Sequence, residues 1–98
     1  MPTYISLINW TDQGIRNVKD TLERSQSVAE DAEKKYGASF EQIYWTVGSY
    51  DIIAILEAPD EESATALLLE DASEGNIRTT TLRAYDREQV SGILQRLG

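Results

Sequence analysis

Seven residues have side chains and settings that could do chemistry: Asn9, Trp10, Tyr44, Tyr50, Asp51, Arg78 and Arg83. Tyr50 and Asp51 follow Gly48. A phenol beside a carboxylate at a cavity rim is a donor next to a general base. The same three residues also make a turn, in which Gly48 supplies a positive φ and Asp51 accepts backbone N–H groups, and this structural reading weighs more. Asn9 precedes Trp10 at the end of a strand, where an amide can also bridge a strand–helix junction. Arg78 and Arg83 differ in parity along one strand, so they point to opposite faces. One is expected to pair with an acid, leaving the other for an anionic ligand.

The chain has no histidine and no cysteine. Imidazole bases, His-dependent serine triads, thiol nucleophiles, disulfides and thiolate metal sites are all excluded. Chemistry is left to carboxylates, Tyr, Lys, Arg, Ser/Thr and Asn. Glu61, Glu62, Glu70, Asp71 and Glu74 lack the spacing of a calcium loop or a Glu-x-x-His motif and read as solvated acids. Gly75-Asn76 is no phosphate loop. No metal and no cofactor is expected.

The net charge is −8, and the stretch from Glu57 to Glu74 holds seven acids and no base. That surface repels a polyanion, so nucleic acid is not an expected partner. No apolar run approaches the roughly 20 residues of a membrane span, and the N-terminus lacks the pattern of a signal peptide. The reading is a single cytoplasmic domain over residues 1–98, with no membrane partner.

The elements that must position these residues follow from periodicity. Thr3–Trp10 alternates as a strand, with Tyr4, Ser6, Ile8 and Trp10 on one face and Ile5, Leu7 and Asn9 on the other. Thr11 or Asp12 can cap a short helical turn. A main helix follows, with Asp20 and Glu23 at capping-box offset and a stripe of Val18, Leu22, Ala29, Ala32 and Tyr36. It stops at Gly37. Phe40–Val47 and Asp51–Ala58 read as a hairpin joined at Gly48-Ser49-Tyr50. Asp60 caps a second helix with the stripe Ala64, Leu67, Leu68 and Ala72. Ile77–Tyr85 is a fourth strand, and Asp86 caps a last helix bearing Val90, Ile93, Leu94 and Leu97.

The order is β-α-β-β-α-β plus a C-terminal helix, an α+β pattern of the ferredoxin-like kind. It has a four-stranded antiparallel sheet, helices on one face, and the first and third strands central. Those two strands are apolar on both faces. An antiparallel sheet needs cover on one face only. The second face, receiving either Ile53 and Ile55 or Ile52 and Leu56 according to register, is expected to be hidden against another copy of the chain.

Three segments carry a resemblance to a known family: Asn9–Lys19, the turn Gly48-Ser49-Tyr50-Asp51, and Gly75–Ala84. The chain resembles the GYD domain family along nearly its whole length, with Ser49 standing inside a G-x-Y-D form of the turn. The resemblance implies the dimeric α/β-barrel group, in which two ferredoxin-like sheets pack together. That group includes cofactor-free monooxygenases, small isomerases and ligand-sensing domains. The expected function is a homo-oligomeric, non-catalytic module that binds a small organic ligand or a partner. The alternative is a cofactor-independent monooxygenase or isomerase using Asn9, Trp10, Tyr44, Tyr50 and Asp51.

Overall fold

The computed structural model describes residues 1–98. Strand β1 is Thr3–Trp10, followed by the short helix α1 (Asp12–Arg16), a 3₁₀ turn over Val18–Asp20 and helix α2 (Thr21–Tyr36). Strands β2 (Ser39–Trp45) and β3 (Ile52–Glu57) lead to helix α3 (Glu61–Ser73), strand β4 (Ile77–Ala84) and helix α4 (Arg87–Gln95). The sheet order is β2-β3-β1-β4 with every pair antiparallel. The central strands are the two that are apolar on both faces.

Local chemistry sets the element ends. Thr11 caps α1 by accepting from the Gly14 N–H at 3.1 Å, and Asp60 caps α3 by accepting from the Ser63 N–H at 2.8 Å. Asp86 and Gln89 complete a reciprocal capping box on α4. Gly37 closes α2 in the left-handed region at φ 64°. Asp20 behaves differently from its sequence pattern: its side chain makes no capping bond, because the 3₁₀ turn leads straight into α2.

Register settles which side chains face the helices. Tyr4, Ser6 and Ile8 stand opposite Leu56, Ala54 and Ile52 on the covered face, and Ile5 and Leu7 stand opposite Ile55 and Ile53 on the open face. Ile53 and Ile55 therefore share the open side, while Ile52 and Leu56 belong to the core. Buried Ser6 exchanges a hydroxyl–hydroxyl bond of 3.1 Å with Thr81 across the strands, which satisfies its polar group inside the core.

The core lies in two clusters. Tyr4, Ala32, Ala38, Leu56, Ala58, Ala64 and Leu67 pack at one end, and Ile8, Ile52, Ala54 and Ile77 at the other. The first cluster is built largely of alanines, which bring the helices close to the sheet. The second is edged by the larger Trp10, Phe40 and Ile43. Only 13 of 98 residues are buried, so much of the apolar sheet surface has no cover in a single copy.

The hairpin is looser than its sequence pattern implies. β2 ends at Trp45 and β3 begins at Ile52, so Thr46–Asp51 forms the connection and Val47 projects fully into solvent. The Thr46 N–H still donates to the Asp51 carbonyl at 2.8 Å, and the Thr46 hydroxyl donates to the Tyr50 carbonyl at 2.5 Å. Gly48 takes φ 141°, the positive value the turn requires.

Candidate functional site

The three resemblance segments meet at one end of the sheet, around Trp10. The Thr11 N–H donates to the Asn76 carbonyl at 3.0 Å, and the Thr11 hydroxyl donates to the Gly75 carbonyl at 2.5 Å. Gln13 Nε2 reaches the Glu74 carbonyl at 3.0 Å and Asn76 Oδ1 at 2.9 Å. Gly14 lies against the same carbonyl: a Cβ there would sit 1.9 Å from the Asn76 oxygen. From the hairpin, Asp51 Oδ2 accepts the Trp10 N–H at 2.9 Å, and the Asp51 N–H donates to the Ile8 carbonyl at 2.9 Å. Much of the recognisable pattern is therefore a clasp tying β1, the hairpin and the α3–β4 junction together.

The clasp forms one end of a cavity of about 60 Å³ between the sheet and the helices. Its apolar wall is Ile8 and Trp10 from β1, Phe40 and Ile43 from β2, Ile52 and Ala54 from β3, Ile77 from β4 and Val28 from α2. Its polar wall is Thr21, Arg24 and Ser25 from α2, Asp71 from α3 and Asn76 from the junction. Thr21, Arg24, Ser25 and Val28 are spaced i, i+3, i+4, i+7, one face of a helix. Trp45 braces this face from outside, its Nε1 donating to Thr21 Oγ1 at 3.0 Å.

Asp71 is largely buried, and burial, with Glu74 next in effect, pushes its carboxyl up to about 6. Arg24 pulls it back, yet the two form no ion pair; the chain's one ion pair joins Lys35 and Glu70 at 2.8 Å on the surface. Arg24 Nη2 donates to the Asn17 carbonyl at 3.2 Å. Asp71 is thus no solvated acid of the outer helix face, as the sequence pattern implied. It lies four residues after buried Leu67, on the inner stripe of α3.

The sequence-selected residues separate in space. Asn9 opposes Arg78 across the open face, and Tyr44 opposes Ile53 on that same face. Trp10 lies on the helix side, in the cavity wall. Tyr50 is half-buried in the hairpin connection. Asp51 is occupied by the backbone of Trp10. Arg83, on the helix side opposite Tyr4, stacks 4.4 Å from the Tyr85 ring centroid and 5.7 Å from that of Tyr4, and donates to the carbonyls of Thr3 and Ala84. The two arginines do face opposite ways, but neither pairs with an acid as expected: Arg83 finds carbonyls and aromatic faces instead.

Periodicity missed Thr21, Arg24, Ser25 and Asp71 because they are polar residues at inward positions. The stripe drawn through Val18 and Leu22 is out of phase. The 3₁₀ turn interrupts the helix after Val18, and Leu22 ends up exposed. The detectable signal was the polar set at Thr21, Arg24 and Ser25 running into Val28 at helical spacing.

A small α+β domain with this sheet order, and with the G-x-Y-D turn bound into its β1–α1 junction, defines the class. The chain belongs to the GYD domain family, whose model matches residues 4–94. It is 33% identical over 97 residues, 99% of each chain, to the glutamine synthetase and cystathionine beta-lyase binding protein of Thermus thermophilus. Among solved structures, that of MtbAldR superposes with a TM-score of 0.67 at 13% identity, over 88% of this chain and 52% of that one; the chain spans about half of that protein. An ACT domain protein from Streptococcus pneumoniae gives a TM-score of 0.49 at 18% identity, over 86% of this chain and 90% of that one. No helix of the chain is long and apolar enough to cross a membrane.

Proposed function

We propose that this chain is a non-catalytic interaction module that pairs with a second copy of itself through the open sheet face and presents the pair to a partner protein. The observation that carries the reading is the uncovered face itself. Ile5, Leu7, Ile53 and Ile55 lie side by side across the two central strands, flanked by exposed Tyr44 and Leu82. These four side chains are half-buried in the single copy, and covering the apolar area they still expose stabilises at about 25 cal/mol per Å². The patch lies on the face opposite Tyr4 and Leu56, which pack against α2 and α3, and its edges carry polar Gln42, Thr80 and Arg78 as a rim would. A twofold pairing sets this one surface against itself and needs no second complementary surface. The Thermus relative, which shares the whole length of the domain, is named for binding two enzymes, and that supports an enzyme subunit as the partner class.

Light scattering tests the pairing. The wild-type chain should run at twice its 11.0 kDa mass at micromolar concentration, and Ile53→Asp should run as a folded monomer. A monomeric wild type, or an Ile53→Asp variant still paired, would overturn it. Purified glutamine synthetase and cystathionine beta-lyase from the same cells, titrated separately onto the immobilised chain, test the partner class. Saturable binding of either supports it, and binding of neither removes it.

A further inference from the structure

We propose that the outer edge of β4 is a docking site for an extended, acidic segment of a partner protein, which adds to the sheet as a fifth strand. The inference rests on the reading that the chain holds a partner, and names the surface and the partner's chemistry. It uses the edge of the sheet, not the open face.

The backbone makes the edge a template. The Thr11 N–H donates to the Asn76 carbonyl, and this pair continues the β1–β4 register one step beyond Trp10 and Ile77. It is therefore a hydrogen-bonded pair, and such pairs alternate along an antiparallel ladder. By that alternation Arg78, Thr80, Leu82 and Ala84 bond to β1. Thr79, Thr81 and Arg83 turn their N–H and C=O groups outward, and no turn or loop bond of the chain takes them. β4 stays in register with β1 over eight residues without a bulge, and it contains no proline and no lysine. The other edge is protected. A register shift between Phe40 and Gln42 breaks β2, with exposed Glu41 inside it. Bulges and charges of that kind blunt an edge against added strands.

Charge selects the occupant. The chain carries −8, yet β4 holds Arg78 and Arg83 with no acid, and its sheet neighbour β1 has no charged residue. Neither arginine is in an ion pair. Arg78 is exposed on the open-face side of the strand. Arg83, on the helix side, lies against the rings of Tyr85 and Tyr4, so it folds along the sheet rather than across the edge as a guard. From position 78 to position 83 is roughly 17 Å along a strand, and the two side chains point to opposite faces. An added strand alternates with the same period. It answers both cations with acids placed five positions apart, while its backbone pairs with Thr79, Thr81 and Arg83. The β4 edge of a second copy fits worse, because self-pairing brings both arginines of each copy to one seam with no acid to offset them.

The test is titration of the full chain with the peptide acetyl-Glu-Val-Thr-Val-Thr-Glu-amide, read by calorimetry and by amide hydrogen exchange. The peptide should bind saturably and slow exchange at the amides of Thr79, Thr81 and Arg83. Replacing both of its Glu residues by Lys should weaken binding at least about tenfold. Arg78→Glu should weaken the Glu peptide, and one of the two peptides carrying a single Lys should bind that variant better than the Glu peptide does. Thr79→Pro removes one outward N–H at an edge position of the kind that tolerates proline, and should weaken the Glu peptide at least about tenfold. Circular dichroism melts check that both variants fold. Ile53→Asp should bind the peptide like wild type, which separates the edge from the pairing face. Binding of the peptide but of neither enzyme supports the edge and removes only the enzyme class; the reverse result removes the edge alone. No saturable heat at about 5 mM peptide, above a millimolar dissociation constant, would overturn the proposal. So would equal binding of the Lys peptide, or binding that leaves the three amides exchanging as before. Protection of the same amides in the chain alone, lost on dilution, would put a second copy on the edge and overturn the acidic partner.

Discussion

Asp71 is a half-buried acid on the inner stripe of α3, four residues after buried Leu67. Its carboxyl titrates near 6 in the folded chain against an ordinary 3.8. Below about pH 4 both states carry the proton, and the group costs nothing differential. Between about 4 and 6 the folded state holds a proton that the unfolded state has released, so stability falls as pH rises through that window. Above 6 both are ionised and the folded chain bears the full cost, on the order of 3 kcal/mol. Asp71→Asn should therefore raise the urea midpoint at pH 7.5 and leave it nearly unchanged at pH 4. Urea titrations of both proteins at the two values check this. A variant less stable than wild type at the higher pH would show that the carboxylate has a stabilising partner.

At the scale of elements, the two informative glycines act by opposite mechanisms. Gly14 lies in α1 with no positive φ, but its missing Cβ lets the helix rest on the Asn76 carbonyl; an added methyl would be 1.9 Å from that oxygen. Gly48 has open space around it and a positive φ of 141°. Gly14→Ala must push α1 off the α3–β4 junction and break the Thr11 and Gln13 bonds there. It should cost more than the roughly 1–3 kcal/mol of ordinary overpacking. Gly48→Ala carries backbone strain alone, on the order of 1–3 kcal/mol. Hydrogen exchange separates the two. Gly14→Ala should expose the amides of Thr11 and Ile15 together, while Gly48→Ala should expose Thr46 and little else. Matching exchange patterns would contradict this division. The junctions also show what the sequence makes legible. Strand alternation placed β1 to the residue, and Asp60, Asp86 and Gly37 marked helix ends, because these signals are local. Sheet order followed from the alternation of element types. The cavity did not, because its polar wall on α2 and α3 breaks the apolar periodicity by which an inner face is recognised. The Asp51–Trp10 bond spans 41 residues, and only the G-x-Y-D turn hinted at it.

At the scale of the molecule, a single copy leaves the C-terminal helix unaccounted for. The radius of gyration is 14.6 Å, against about 13 Å for a compact chain of this length, and the long axis reaches 52 Å. Every residue of α4 except Gln89 is exposed. Val90, Ile93 and Leu94 recur at helical spacing with Leu97 just beyond, and none is buried. A nine-residue helix is marginal by itself even with a full capping box. In the paired assembly proposed above, the second copy would be the surface that covers this helix. Ending the chain at Tyr85 should then leave the sheet and its two main helices folded and weaken pairing. Re-covering even one such side chain contributes about 1.5 kcal/mol, and about 1.4 kcal/mol is a factor of ten in dissociation constant. Sedimentation equilibrium of the shortened chain should show the dimer dissociating at least about tenfold more readily. Its melting temperature, measured on the Ile53→Asp background where no pairing contributes, should match that of the full-length Ile53→Asp chain. An unchanged dissociation constant would mean that α4 faces some other partner. A lower melting temperature on the monomeric background would mean that the helix folds back onto its own domain.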